Sequence, residues 1–203
     1  MKINQTIKIY DQTGDAYSKA HPRPSFHIAD FAKLIKKSDK ILELGCGPGI
    51  DADYLTRKGA EVWASDLSRT MLKLAQKRNP KVHFEQKDMR EVEFPENSFD
   101  AVVASFSIIH LPKKDIPKLL KNIHNFLKLK GLFYIGIQEG ESFEGNVRSK
   151  YNVKDLLFLN VMTEKEIKDL LENAGFEIQK EFRRQATHKE WPYKKHVFVT
   201  RSK

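Results

Sequence analysis

This sequence of 203 residues has a single cysteine, Cys46, so no disulfide can form within the chain. No apolar run is long enough to cross a bilayer as a helix, and no membrane partner is expected. The opening residues, Met1-Lys-Ile-Asn-Gln-Thr6, lack a signal-peptide pattern, so cytoplasmic residence is the default expectation. Repeats and low-complexity tracts are missing, which excludes solenoids and long linkers. His21, His27, His83, His124, His188 and His196 show no ligand spacing with Asp, Glu or Cys, so no metal site is expected. Acidic charge is also short: 36 Lys and Arg stand against 27 Asp and Glu, a net charge of +9. The excess gathers at Lys113, Lys114, Lys118, Lys121, Lys128 and Lys130, and again at Arg183, Arg184, Lys189, Lys194, Lys195, Arg201 and Lys203. A solvated face explains such clusters better than a nucleic-acid surface, because no aromatic residues interleave the charge.

What is present is an alternation of strand and helix patterns. Strands are expected at 40–45, 61–65, 81–86, 99–105, 131–138, 175–183 and 194–201. Helices are expected at 25–37, 50–58, 68–78, 115–127 and 163–174. The order reads as one α/β domain over 1–203, a doubly wound, mostly parallel seven-stranded sheet. The last two strands are joined by a short loop holding Trp191 and Pro192 and pair as an antiparallel hairpin. Residues 139–155 break the rhythm. They read as a long loop at the carboxyl end of the fifth strand, where lids over binding sites tend to lie.

The most informative run is Ile41-Leu-Glu-Leu-Gly-Cys-Gly-Pro-Gly49, an apolar strand ending in a glycine turn before a helix. Gly45, Gly47 and Gly49 permit positive φ and close approach of a ligand to the backbone. Seventeen residues beyond Gly49, the second strand ends in Asp66. A carboxylate at that tip, beside a glycine turn, suits a ribose with vicinal hydroxyls. Nicotinamide and flavin domains use G-x-G-x-x-G, but here Ile50 takes the place of the final glycine. Glu43, two residues before the turn, would repel a diphosphate and suits a ligand bearing an ammonium and a sulfonium.

This stretch resembles motif I of the class I S-adenosylmethionine-dependent methyltransferases, and the resemblance runs along nearly the whole chain. It implies a Rossmann-like methyltransferase fold with S-adenosylmethionine as cofactor and S-adenosylhomocysteine as product. Asp66 looks like the ribose-binding acid, with Leu67 against the adenine. Val82-His-Phe-Glu-Gln-Lys-Asp88-Met89 resembles the third strand and turn, where Asp88 and the next N–H read the adenine edge. Ser98 to Leu111 is similar to motif IV and contains Ser105 and His110. Tyr10-Asp-Gln-Thr-Gly-Asp-Ala-Tyr17 resembles the cover of small methyltransferases, with 1–39 as an N-terminal cover and Tyr17 closing over the cofactor; an amphipathic structural helix explains this stretch equally well. Leu127-Lys-Leu-Lys-Gly131 departs from the family's usual turn. The implied cofactor set is Tyr17, Glu43, Gly45, Cys46, Gly47, Gly49, Asp66, Leu67, Asp88, Met89 and Ser105.

Methyl transfer from a sulfonium is an in-line displacement, and a base is needed only if the acceptor loses a proton. His110 is the candidate base, although a packing role suits it as well. Glu139 and Glu141 follow the fifth strand, where solvation explains them best. Cys46 has no paired base and reads as a small residue in the turn. No [Asn/Asp]-Pro-Pro-[Tyr/Phe] run stands at the fourth strand's end, which argues against adenine-N6 and glutamine methylation. No Pro-Cys pair is present, which argues against cytosine-C5 chemistry. The expected activity is methyl transfer to an O, N or S nucleophile of a small molecule. An RNA or protein acceptor, a non-catalytic cofactor-binding subunit and a dinucleotide oxidoreductase are the alternatives.

Overall fold

The computed structural model describes residues 2–151, 154–188 and 190–203; Lys189, one of the C-terminal basic residues, lies outside them. The helices are α1 (Lys2–Ala20), α2 (Ile28–Ala32), α3 (Ile50–Arg57), α4 (Arg69–Arg78), α5 (Ile116–Phe126) and α6 (Glu164–Asn173). The strands are β1 (Lys40–Leu44), β2 (Glu61–Asp66), β3 (His83–Gln86), β4 (Phe99–Ser105), β5 (Leu127–Glu139), β6 (Phe143–Arg148), β7 (Leu156–Val161), β8 (Phe176–Arg184) and β9 (Lys194–Ser202). Seven of them form one sheet in the order β3-β2-β1-β4-β5-β9-β8. The first five in that order pair in parallel, and β9 lies antiparallel between β5 and β8. The expected doubly wound sheet with its C-terminal hairpin is therefore observed.

The central strands are apolar on both faces because helices cover both. Leu42, Val102 and Phe133 pack beneath α5 with Leu120 and Ile123. Their neighbours Ile41, Val103 and Tyr134 point the other way, toward Phe31 of α2 and Leu55 of α3. Helix ends follow the local sequence. The Ser68 hydroxyl caps α4 by accepting from the Met71 N–H, and Thr163 and Glu166 form a capping box on α6.

Three expectations differ from the structure. The helix placed at 25–37 is only α2, five residues long. Ser25 opens a tight turn whose carbonyl accepts from the Ile28 N–H, and His27 takes a left-handed φ of 60°, so the helix begins only at Ile28. The expected fifth strand is longer and starts at Leu127; Lys130, in the departing Leu127–Gly131 run, takes a left-handed φ of 60° within it. Finally, 139–155 is not one long loop. It contains β6, which pairs antiparallel with β7 in a separate two-stranded ribbon.

That ribbon decides where α1 sits. Leu157, Leu159 and Val161 of β7 form an apolar cluster with Ile9 of α1 and Ile109, which follows β4. The Phe158 N–H donates to Thr6 Oγ1 at 2.9 Å. At its other side α1 is held by Asp11, whose carboxylate accepts from the Ser68 hydroxyl and the Thr70 N–H. Thr6, Ile9, Tyr10, Thr13 and Tyr17 recur at helical spacing, which puts them on the face that meets the sheet's carboxyl edge.

Candidate active site

The glycine turn and Asp66 are built into one another at the tips of β1 and β2. The Gly45 and Cys46 N–H groups both donate to the Ser65 carbonyl, and the Gly47 N–H donates to Asp66 Oδ2 at 2.8 Å. The other Asp66 oxygen accepts from the Ser68 N–H. Gly45, Gly47 and Gly49 all have positive φ, at 71°, 52° and 72°. They serve different ends. A Cβ on Gly47 would meet nothing within 4 Å, so this residue opens onto the site. A Cβ on Gly49 would lie 2.7 Å from Ala75 Cβ. Gly49, also expected to contact the cofactor, lines neither cavity and lets α3 start close against α4.

Two cavities meet here. The first is lined by Asp66, Leu67, Asp88 and Met89, the residues expected around the adenosine. The second, about 550 Å³, is lined by Glu43, Cys46 and Asp51 on one side and by Gln138, Tyr151, Trp191 and Lys195 on another. Tyr10, Tyr17, Gly45, Gly47, Ser105, Phe106 and His110 border both. Every expected cofactor residue except Gly49 thus lies on a cavity wall. Asp88 does so with its carboxylate already engaged: Arg90 bonds it through Nε and Nη2 and reaches on to Asp115. Burial works against the charged form of Asp88, but the Arg90 guanidinium outweighs it and holds the carboxyl below its usual range.

The cofactor side is rich in buried carboxyl groups. Burial pushes the Glu43 carboxyl well up, with Asp51 and Asp66 adding repulsion. Burial also raises Asp51, opposed by the Ser25 hydroxyl and N–H, and Asp66, opposed by the N–H groups of Ser68 and Gly47. Glu43 is 3% exposed, and its Oε2 has no partner. Three desolvated carboxylates and one orphaned oxygen are complementary to a cation. A diphosphate would meet repulsion instead.

His110 follows β4 on a single 3-10 turn, with both ring nitrogens engaged. Nδ1 lies 2.7 Å from the Phe158 carbonyl, which can only accept, so Nδ1 carries the proton. Nε2 is then the acceptor, and the Tyr10 hydroxyl donates to it at 2.8 Å. Burial pushes the imidazole down to about 4, slightly opposed by the Phe158 bond, so His110 is neutral near pH 7. The sequence signals only half of this pair. Tyr10 looks like any tyrosine on an amphipathic helix until β7 fixes α1 in place. Tyr17 stacks on His21 with ring centroids 4.4 Å apart and lies 5.3 Å from Tyr151, roofing the second cavity. Burial pushes Tyr17 up to about 12.

Comparison with known proteins agrees with this geometry. A family model described as "Methyltransferase domain" matches residues 41–131. A demethylmenaquinone methyltransferase of Paenarthrobacter aurescens is 32% identical over 114 residues, covering 55% of this chain and 45% of that protein. The chain thus spans about half the length of the curated relatives it matches first. Among solved structures, the 1,6-didemethyltoxoflavin-N1-methyltransferase of Burkholderia thailandensis, with bound 1,6-didemethyltoxoflavin and S-adenosylhomocysteine, superposes with a TM-score of 0.75 at 20% identity. That match covers 98% of this chain and 88% of the other. The [4+2]-cyclase SpnF superposes at 0.78 with 14% identity, covering 100% and 97%.

Fold and site together define a Rossmann-like α/β domain with one cavity at the glycine turn and Asp66 and a second, carboxyl-lined cavity beside it. Residues 41–131 match the methyltransferase-domain family, and the chain shares the fold of solved S-adenosylmethionine-dependent methyltransferases, whose cofactor is S-adenosylmethionine. The residues present fit that cofactor. Glu43, Asp51 and Asp66 suit its ammonium, sulfonium and ribose, and Gly47 leaves room for its backbone-facing side. Among the described residues no group of His, Cys, Asp and Glu could hold a metal ion, and no helix is long and apolar enough to cross a membrane.

Proposed function

We propose that the protein transfers a methyl group to an O, N or S nucleophile of a small molecule. The observation that carries this reading is the shared border between a nucleoside cavity and a second cavity of about 550 Å³. When bound, S-adenosylmethionine supplies a methyl group already activated by its sulfonium. Asp66 holds the ribose hydroxyls, Leu67 and Met89 flank the adenine, and Glu43 takes the ammonium. The protein's remaining tasks are to align the acceptor, exclude water and receive any proton the acceptor sheds. Tyr17, His21 and Tyr151 roof the second cavity and shield it from water. Tyr10 takes the acceptor's proton as its own hydroxyl proton passes to His110 Nε2, so the charge rests on the imidazole. A cavity of about 550 Å³ under a roof of Tyr17 and Tyr151 suits a small molecule better than a nucleic acid or a protein.

The fold is shared with a [4+2]-cyclase, so a second reading is that the domain binds S-adenosylmethionine without transferring its methyl group. Calorimetric titration with S-adenosylhomocysteine and with NAD tests the cofactor, and Asp66→Ala should weaken S-adenosylhomocysteine at least tenfold, about 1.5–3 kcal/mol for lost bonds to a charged acceptor. Release of S-adenosylhomocysteine against libraries of amines, phenols, thiols and carboxylates tests transfer. Binding without turnover on any library would favour the second reading.

A further inference from the structure

The far wall of the second cavity is a polar row that crosses three strands. Gln138 of β5 pairs directly with Lys195 of β9, and Lys195 with Arg184 of β8. Residues opposite one another in antiparallel strands share a face, so the three side chains emerge together. The floor beside them is Phe106, whose ring packs on Gly136 and would lie 2.9 Å from a Cβ there. Lys195 Nζ stands 5.2 Å from the centre of that ring.

This row holds more positive charge than its neighbours answer. Glu190 is the carboxylate near Lys195, at 3.8 Å. Its two oxygens are already taken by both Arg184 nitrogens at 2.7 Å. The Lys195 side chain is only 10% exposed, and burial pushes its ammonium down to about 8, with Glu190 opposing and Arg184 adding to the fall. His110, also nearby, is neutral. A buried cation without its own counter-ion is costly unless a ligand provides one. Beside it Gln138 is 1% exposed, and its Oε1 has no partner. A side-chain amide can turn either end to a ligand.

Building on the transferase reading above, we propose that the methyl acceptor is an aromatic acid. Its ring lies on Phe106, its carboxylate meets Lys195 and the Gln138 amide, and its nucleophilic substituent points toward Tyr10. A carboxylate has two oxygens to offer the two adjacent donors. The Phe106 face and the aromatic roof of Tyr17 and Tyr151 suit a flat ring. A neutral or cationic acceptor would leave the buried Lys195 with only Glu190, which it shares with Arg184.

The test is calorimetry on the protein saturated with S-adenosylhomocysteine, using 4-hydroxybenzoate, 3,4-dihydroxybenzoate and 2-aminobenzoate, each against its primary amide. At least one acid should bind tenfold or more tighter than its amide. Lys195→Met should abolish that preference, and Lys195→Arg should retain most of it. Gln138→Glu, which gives Lys195 a fixed counter-ion, should weaken the acids at least tenfold and leave the amides little changed. Affinity for S-adenosylhomocysteine should hold within about twofold in all three variants. Amides that bind as tightly as acids, acids that all fail to bind, or a preference that survives Lys195→Met would each overturn the proposal. Should S-adenosylhomocysteine itself not bind, the cofactor reading fails, and the same acid-to-amide ratio on the free protein decides this one.

Discussion

Glu43 is a side chain placed against the stability of the ligand-free fold. It is buried, one oxygen is unpartnered, and Asp51 and Asp66 repel its charge. Its folded pKa lies above the unfolded value, so the ligand-free protein loses stability as pH rises through that window. S-adenosylhomocysteine carries an ammonium that favours the ionised form, so the rise in melting temperature it produces should grow with pH across the same window. Glu43→Gln should leave the ligand-free melting temperature unchanged or higher, yet weaken S-adenosylhomocysteine about tenfold or more by calorimetry. The Tyr10–His110 pair makes a different prediction. If it carries the acceptor's proton, Tyr10→Phe and His110→Ala should each lower turnover roughly a hundredfold or more with cofactor affinity nearly intact. Because His110 titrates near 4 in the fold and near 6.5 when unfolded, the unfolded chain binds more protons between those values. Stability from this residue is complete above about 6.5 and is lost as pH falls toward 4. Normal turnover in both variants would leave His110 the anchor of β7 alone.

At the scale of elements, the glycine turn works because neighbouring elements constrain each glycine differently. Gly49→Ala would strain a φ of 72° and press a Cβ to 2.7 Å from Ala75. We expect a loss of about 1–3 kcal/mol in urea unfolding from the combined strain and overpacking. The affinity of folded Gly49→Ala for S-adenosylhomocysteine should change little, since Gly49 lines neither cavity. A large loss of affinity at normal stability would return Gly49 to the cofactor contacts. The β6–β7 ribbon has an equally specific task. Its outer strand, Phe143-Glu-Gly-Asn-Val-Arg148, is polar enough to read as a loop, and its inner strand, Leu156-Leu-Phe-Leu-Asn-Val161, is apolar because it packs on α1. Asn160 Nδ2 donates to the carbonyls of Ile108 and Leu111, which pins the His110 turn from beneath.

Over the whole molecule, the net charge of +9 is less available to a polyanion than the composition suggests. Arg183 pairs with Glu139, Glu164 and Glu181. Lys113 pairs with Glu166, Lys128 with Asp100, and Arg184 with Glu190. Lys195, counted in the C-terminal basic cluster, faces the second cavity rather than open surface. Nucleic-acid binding should therefore be weak and non-specific, and it should fall steeply as salt rises because phosphate contacts release counterions. Fluorescence anisotropy with labelled RNA at low and physiological salt measures this. Submicromolar, sequence-selective binding at physiological salt would move the acceptor from a small molecule to a nucleotide.

The β-α alternation, the C-terminal hairpin, the glycine turn and Asp66 were legible because each is written within a few neighbouring residues. Strand periodicity, turn glycines and helix caps are short-range signals. Tyr17, Glu43 and Asp66 were legible as neighbours of the glycine turn from their positions at strand tips and in the N-terminal cover, and all three line the adjoining cavities. Tertiary structure alone decided the rest. Gly45 and Gly49 look alike in the sequence, and only the packing of α4 separates the one that borders the cavities from the one that does not. Tyr10 meets His110 across 100 residues because β7 docks α1. Gln138 and Lys195 become neighbours only through the antiparallel register of β5 and β9. Contacts between residues far apart in sequence leave no local pattern, because they depend on how apolar faces of separate elements find one another.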